Sequence, residues 1–386
     1  MRKVVIVSAV RTPVGKIAGQ FTSVEPDVLA SIVIREAVHR AGINPAEVED
    51  LYMGNVNGWH GNIAHVAGLM AGLPVEVGGA TVDRQCSSGS QAIALAAMSI
   101  MCGYGDIYVA GGMESQTLTP WQLAKPKPYS WDPPKFIIPR PSCDEIGNPG
   151  MGLTAEKVAE EHGITREDCD WWALESQTRA AAALDKGYFK EQIVPVPVKC
   201  GKEVVMVDTD EGVRRDTTLE KLSKLKPAFK ENGVVTAGNA CIRADGAAAM
   251  VLMSEEKALH LGLKPLVRFH TYAVAGLHPT VMAYGPVPAT LKALKRGGLT
   301  PADIGVAEIN EAFAAQVVPS FRDIGWDPAI VNPNGGAIAL GHPLGGTGAI
   351  LTTKLIYEML RQDHRYGCVT MCIGGGQGMS TIFEKC

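Results

Sequence analysis

Apolar positions along this chain fall into short unbroken runs and longer stretches spaced for one face of a helix. Residues 4–10 are such a run, closed by Arg11-Thr12-Pro13; with no small-residue cleavage pattern behind it, it predicts a first buried strand rather than a leader. Residues 27–41 repeat at helical spacing, and 51–56 read as a strand. Residues 80–82 predict another strand, after which Cys86-Ser87-Ser88-Gly89 opens a helix to about residue 101. That helix is apolar on every side, which predicts burial between layers. A strand over 107–110 then ends in Gly111-Gly112.

The pattern returns. Gly42-Ile43-Asn44-Pro45-Ala46-Glu47-Val48 reappears as Gly298-Leu299-Thr300-Pro301-Ala302-Asp303-Ile304, and 298 less 42 is an offset of 256 residues. Each copy follows a helical stretch (27–41 and 289–297) and leads into a strand (51–56 and 306–309). Further on, 329–331 predicts a strand and Gly341-His342-Pro343 precedes a helix over 345–360. A strand over 368–373 ends in Gly374-Gly375-Gly376. Strands alternating with helices imply mainly parallel pairing in α/β layers, here in two related halves. The same offset carries Cys86 onto His342, so pseudo-twofold packing would bring a cysteine and a histidine at equivalent helix starts to one site.

Between the halves the pattern breaks. Eight of the 24 prolines fall within residues 120–149, among Trp121, Trp131, Lys125, Lys127, Lys135 and Arg140. Neither regular helix nor central strand tolerates that density. The stretch reads as an ordered covering loop, either a lid or a subunit-contact surface. Helices follow at 154–162 and 166–186.

With 46% hydrophobic and 20% charged residues, the 386-residue chain has apolar surface enough to exclude global disorder and room for two or three units. Its net charge of −4 gives no overall basic field, which argues against a nucleic-acid partner. No apolar run approaches the roughly 18 residues of a membrane span, so no membrane insertion is expected. The nine cysteines are scattered without a C-x-x-C, so neither a disulfide framework nor a metal site is expected, and a reducing, cytoplasmic compartment fits better. Gly15-Lys16 and Gly201-Lys202 lack the following Ser or Thr of a phosphate-binding loop, and no G-x-G-x-x-G follows the first strand. Asp208-Thr209-Asp210-Glu211-Gly212 starts like a calcium loop but misplaces its glycine.

A cysteine is usually a small buried hydrophobe. Cys86, between a strand and a helix start, has a different setting, where free N–H groups and the helix dipole are expected to lower its pKa toward neutrality. His342 lies among glycines that imply close backbone approach. Cys372 closes a buried strand, and Asn310-Glu311-Ala312-Phe313 follows another, where ligands collect in α/β sheets.

These blocks resemble, in order, the signature blocks of the thiolase family: Cys86-Ser87-Ser88-Gly89, Asn310-Glu311-Ala312-Phe313, Gly341-His342-Pro343 and Cys372-Ile373-Gly374-Gly375-Gly376. The resemblance spans the chain, including Val109-Ala110-Gly111-Gly112-Met113-Glu114-Ser115 and Met151-Gly152-Leu153-Thr154. It implies a five-layered αβαβα fold of two related halves, 1–258 with an inserted loop region at about 116–240, and 264–386. It also implies a homodimer or homotetramer. The implied activity is an acyltransferase that cleaves or forms 3-ketoacyl-CoA, with coenzyme A as co-substrate and no permanently bound cofactor. By the same resemblance Cys86 is the nucleophile, His342 its activating base and Cys372 the acid/base. Asn310 with His342, and the N–H groups of Cys86 and Gly374, would stabilise the two oxyanions. Met151, Arg214, Ala237, Cys241 and Phe313 would bind the CoA thioester.

Three departures stand out. In Gly238-Asn239-Ala240-Cys241-Ile242-Arg243, Cys241 replaces a serine that touches the pantetheine arm in relatives, and Ile242 replaces a glycine. Gly150 stands where acetoacetyl-CoA-specific members tend to have histidine, which argues against strict short-chain specificity. The proline-rich loop differs from the segment that builds tetramers in some relatives, which favours a dimer. An acetoacetyl-CoA-type enzyme, a condensing relative and a catalytically weak scaffold subunit are the alternatives, the last supported only by Cys241-Ile242-Arg243.

Overall fold

The apolar run that opens the first half is a strand at the centre of one sheet, beside the strand that opens the second. The computed structural model describes residues 2–58 and 60–386. The first half runs β1 (Val4–Arg11), β2 (Gly15–Lys16), α1 (Pro26–Ala41), β3 (Asp50–Gly54), α2 (Ile63–Ala71), β4 (Ala80–Val82), α3 (Ser88–Met101) and β5 (Ile107–Ser115). The long connection after it carries β6 (Leu123–Ala124), β7 (Lys135–Phe136), α4 (Met151–His162), α5 (Arg166–Asp185), β8 (Val196–Cys200), β9 (Glu203–Val207) and α6 (Leu219–Ser223). It leads into β10 (Ala244–Ser254) and α7 (Glu255–His260). The second half is β11 (Val267–Gly276), α8 (Pro286–Gly297), β12 (Ile304–Ile309), α9 (Ala314–Ile324), α10 (Leu344–Gln362), β13 (Tyr366–Ile373) and β14 (Gln377–Lys385).

The strand order is a near-palindrome, β12-β13-β14-β11-β1-β10-β5-β3-β4. At its centre β1 and β11 meet antiparallel through only two residue pairs, Val5 with Arg268 and Ile6 with Val267. The repeat offset is real in space. Helices α1 and α8 end on left-handed glycines, Gly42 (φ 65°) and Gly298 (φ 68°), and α3 and α10 begin at Ser88 and Leu344, again 256 apart.

Three large apolar cores hold the layers together. One lies between the sheet and α1/α2 (Leu29, Val33, Ile34, Ala64). The middle one joins α3 and α10 to strands of both halves (Ile93, Ala97, Ile350, Leu355, Met371). The third lies beneath α8 and α9 (Ala293, Leu294, Val317, Phe321). The apolar helix α3 is buried over most of its length, as its all-round apolar pattern requires. Among the described residues no helix is long and apolar enough to cross a membrane.

Three local readings change. Strand β1 extends through Arg11, which is fully buried because Asp210 accepts both of its terminal nitrogens at 2.7 and 2.9 Å. A buried charge needs such a partner. The strand expected at 329–331 is instead a 3₁₀ turn over Pro328–Ile330, with a single bridge from Ala307 to Val331. Pro328 has no N–H for a ladder, and the Asp327 side chain accepts from Ala329 N at 2.8 Å to start the turn. Strand β5 runs through Gly111-Gly112 instead of ending there. A Cβ on Gly111 would lie 2.1 Å from Ala248 O, and one on Gly112 2.1 Å from Gly345 O, so β10 and α10 press on those positions. In the proline-rich loop only the two-residue pair β6/β7 is regular, stapled by Trp121 against Phe136, edge to face at 5.2 Å.

Candidate active site

The starts of α3 and α10 and the end of β13 converge on one point. Ahead of α3 the backbone makes a tight elbow. Gln85 is left-handed (φ 47°), an uncommon conformation for a residue with a side chain. Its N–H is held by Asp83 Oδ1 at 2.8 Å, and Ser88 Oγ accepts from Arg84 N at 2.9 Å while donating to Gln85 O at 2.6 Å. Cys86 is thereby presented at the helix start. Its sulfur receives the backbone N–H groups of Gly374 and of Cys86 itself. The expectation of a lowered pKa is overturned: burial, with Glu114 and Asp83 adding repulsion, pushes the thiol up to about 11.

His342 precedes α10, and its N–H is anchored on Ile242 O at 2.9 Å. The ring is buried. Nδ1 lies 2.7 Å from Thr347 Oγ1, and Nε2 lies 3.4 Å from Asn310 Nδ2. Burial lowers its pKa to about 4, so the imidazole is neutral at pH 7. Asn310 donates its backbone N–H to Thr370 O at 2.9 Å, and its Oδ1 is buried without a hydrogen-bond partner within the protein. Cys372, at the end of β13, donates Sγ–H to Gln316 Oε1 at 3.1 Å, and the other end of that amide donates to Asn310 O at 3.0 Å. Burial and the neighbouring sulfurs of Cys86 and Cys241 hold the Cys372 thiol well above its ordinary pKa. Cys241, held by its N–H to Ala312 O at 3.0 Å, completes a group of three thiols and is itself pushed up to about 12.

Buried carboxylates hold this arrangement in place. Glu311 accepts from Trp172 Nε1 (3.0 Å), Ser176 Oγ (2.6 Å), Asn332 Nδ2 (2.8 Å) and Ile338 N (3.0 Å). It ties α5 to the glycine-rich segment that leads to His342. Orphaning four such donors would cost about 1–3 kcal/mol each. Glu114 accepts from Gly345 N (3.0 Å), Val56 N (3.1 Å), Asn57 N (3.3 Å) and Asn55 Nδ2 (3.0 Å), fixing the start of α10. Thr347, Gln316 and Glu114 were not singled out from the sequence for any role.

Burial raises the Glu114 pKa from 4.5 to about 7, against the pull of those N–H groups. Between those values the folded protein holds a proton that the unfolded chain has lost. The stability this gives is full below 4.5 and is lost as pH rises to about 7. His342 works oppositely: its contribution is present above 6.5 and is lost as pH falls toward 4. Glu114→Gln should therefore leave the His342 slope unopposed. Across pH 4.5–6.5 its stability in denaturant titrations should rise relative to wild type by up to about 3 kcal/mol. A wild-type-minus-variant difference that is flat with pH would reject this assignment.

A cavity of about 970 Å³ opens over this point, lined by Cys86, Gly374 and Met151 among the residues expected from the sequence, and roofed by the proline-rich loop. His342, Asn310, Cys372 and Cys241 sit behind its floor rather than in its lining. Phe313, N-cap of α9, is buried edge to face with Phe229 at 6.1 Å. Ala237 is exposed on a turn. Arg214 is exposed in a separate concavity of about 280 Å³ beside Gln177 and Asp185, its N–H held by Gln177 Oε1 at 2.7 Å.

Two α/β halves that set a cysteine and a histidine at matching helix starts define the class, and the chain belongs to the thiolase family. The thiolase N-terminal domain matches residues 4–256, and the thiolase C-terminal domain matches residues 263–385. The 3-ketoacyl-CoA thiolase of Bacillus subtilis is 46% identical over 402 residues, covering all of both chains. The beta-ketothiolase BktB of Cupriavidus necator is 45% identical over 392 residues, covering 100% of this chain and 99% of that one. Among solved structures, the Bacillus anthracis acetyl-CoA acetyltransferase superposes with a TM-score of 0.95 at 42% identity, covering 100% of this chain and 99% of that one.

Proposed function

We propose that the protein is an acyl-CoA:acetyl-CoA acyltransferase that cleaves or forms a 3-ketoacyl-CoA by Claisen chemistry through a thioester on Cys86. The observation that carries this is the Cys86 sulfur faced by the Gly374 N–H, with the thiols of Cys241 and Cys372 beside it and a neutral, buried His342 at the matching helix start. The same N–H would serve as a donor to the oxygen of a thioester on that sulfur.

In the cleavage direction, Cys86 passes its proton to His342 Nε2 as its sulfur attacks the ketone carbon. Burial disfavours both the free thiolate and the imidazolium in the resting site. The thiolate therefore forms only as the carbon–sulfur bond forms. Thr347 accepts Nδ1–H and leaves Nε2 as the base. Asn310, whose Oδ1 has no partner within the protein, holds the water that with His342 receives the developing oxyanion. The bond between C2 and C3 breaks, its electron pair passes to the acetyl-CoA enolate, and Cys372 protonates that carbon. His342 returns its proton to Cys372, then takes the thiol proton of coenzyme A as that sulfur attacks the thioester. Acyl-CoA leaves, and the Cys86 sulfur regains its proton from His342. A covalent intermediate thus divides one difficult step into two.

Coenzyme A enters as a co-substrate and no permanently bound group takes part. Met151, Ala237, Cys241, Phe313 and Arg214 serve the CoA thioester. The protein works in the cytoplasm as a homodimer or homotetramer, its chain divided between residues 258 and 264. Brief mixing with 3-ketoacyl-CoAs followed by intact-protein mass should show one acyl adduct and release of acetyl-CoA. No adduct and no CoA turnover with any 3-ketoacyl-CoA would defeat this reading.

A further inference from the structure

We propose that Gln116 and Arg243 are positioning residues for His342: the Gln116 side chain clamps the backbone of the histidine, and Arg243 holds the clamp in its working orientation. The proposal rests on the thiolase reading above, and both residues act through His342.

His342 lies just outside α10. The first acceptor of that helix is Pro343 O, which takes the N–H groups of Gly346 and Thr347 at 2.7 and 3.0 Å. The helical ladder therefore holds neither backbone polar group of the histidine. Both are taken instead by the first half of the molecule. Ile242 O accepts the His342 N–H at 2.9 Å, Gln116 Nε2 donates to His342 O at 3.2 Å, and Arg243 bridges His342 in parallel register. Thr347 steadies Nδ1 of the ring, but it rides on the helix. Where Nε2 stands is decided by these backbone ties.

The clamp is placed by the ends of two strands. Gln116 is the first residue after β5 and Arg243 the last before β10, and the register pairs Ser115 with Asp245. Asp245 is fully buried. It accepts from Ser115 Oγ at 3.2 Å, from Thr117 N at 3.0 Å, from Thr117 Oγ1 and from the Gln116 N–H. The backbone on both sides of Gln116 is thus fixed before its side chain is placed. That side chain is buried and its amide is used at both ends, with Nε2 on His342 O and Oε1 accepting from Arg243 Nε at 3.2 Å. Turning the amide over would set oxygen against oxygen and N–H against N–H, so the two partners select one orientation. Arg243 is exposed, and its own backbone is pinned by Ile17 N donating to its O at 2.8 Å. Water can replace an exposed donor more readily than one that reaches a buried carbonyl, so Gln116 carries more of the effect than Arg243.

The test is thiolysis of acetoacetyl-CoA by wild type, Gln116→Leu, Gln116→Glu, Arg243→Ala and the double variant of the first and last. Gln116→Glu keeps the shape and gives Arg243 a stronger partner, but it sets a carboxylate oxygen against His342 O. Both Gln116 variants should lower kcat by about 10–100-fold, the scale on which a small misplacement of a catalytic group is felt, with KM within about twofold. Arg243→Ala should lose about two- to tenfold, and the double variant should be no slower than Gln116→Leu alone, because Arg243 acts through the amide. Alkylation of Cys86 by iodoacetamide in the free enzyme, read by peptide mapping, draws on His342 but not on coenzyme A. It should slow by a similar factor in the Gln116 variants. A raised KM with kcat and alkylation unchanged would make the pair a coenzyme A contact and overturn the proposal. So would Gln116→Glu matching wild type, or additive losses in the double variant. Should Gln116→Leu fail to fold, Gln116→Glu and the surface change Arg243→Ala carry the test. Wild type giving neither turnover nor an acyl adduct with any 3-ketoacyl-CoA would instead be the failure of the thiolase reading itself.

Discussion

Alanine in place of Cys86 is expected to abolish the acyl adduct and to cut turnover by on the order of 10⁵–10⁶-fold, the scale on which loss of a nucleophile is felt. The fold should survive the change. The side chain is small, and the elbow that presents it is held by Asp83, Ser88 and backbone groups rather than by the sulfur. Intact mass after mixing with a 3-ketoacyl-CoA, followed by peptide mapping, reads the outcome. Two other thiols, Cys241 and Cys372, adjoin the Cys86 sulfur. An adduct on either of them in the variant, with turnover preserved, would remove Cys86 from the nucleophile's role.

Cys372→Ala should divide the reaction in two. Exchange of an acyl group between Cys86 and coenzyme A needs no acid at carbon and should persist. Deuterium uptake into the methyl group of acetyl-CoA, and carbon–carbon bond cleavage, should fall by roughly 10²–10⁴-fold, the usual range for a positioned acid/base. Proton NMR of acetyl-CoA in heavy water and exchange with labelled coenzyme A measure the two halves separately. Losing Cys372 also strips Gln316 Oε1 of its donor, at a cost of about 1–3 kcal/mol. A merely structural role for the thiol would slow both half-reactions alike, and that result would contradict the assignment.

The offset between Gly42 and Gly298 was legible because it is local on both sides: a helix end, a capping glycine and a proline turn. It led from Cys86 to His342 with no alignment, and α3 and α10 do begin 256 residues apart. The groups that hold those two residues were not legible, because their partners lie far away in sequence. Glu114 meets Gly345 at a separation of 231 residues, and Glu311 meets Trp172 at 139. In a linear pattern both are only acids inside apolar stretches. The pKa of Cys86 was misjudged for a related reason. The helix start is visible in sequence, whereas the burial that outweighs it belongs to the assembled layers. Strand β10 escaped notice because Ala-Asp-Gly-Ala-Ala-Ala-Met carries little β-preference; it is a strand because β1 and β5 pair with it on both edges. Among the expected CoA contacts, Met151 lines the cavity over Cys86, while Arg214 and Ala237 stand exposed outside its lining.

The first strand of this protein is also the one that waits longest. Val4 pairs with Ser254, and the other edge of β1 meets β11, so apart from a bridge between Arg11 and Ile193 nothing made in the first 243 residues supplies a ladder partner for it. At ~5–20 residues per second, a ribosome leaves that strand unpaired for roughly ten to fifty seconds. For that interval a nascent chain displays Val-Val-Ile-Val as an open β-edge, the kind of template on which foreign strands assemble. The middle core stays half built even longer, until α10 emerges. How much enzyme a cell obtains therefore depends on keeping one amino-terminal edge away from other chains while the rest of the molecule is still being translated.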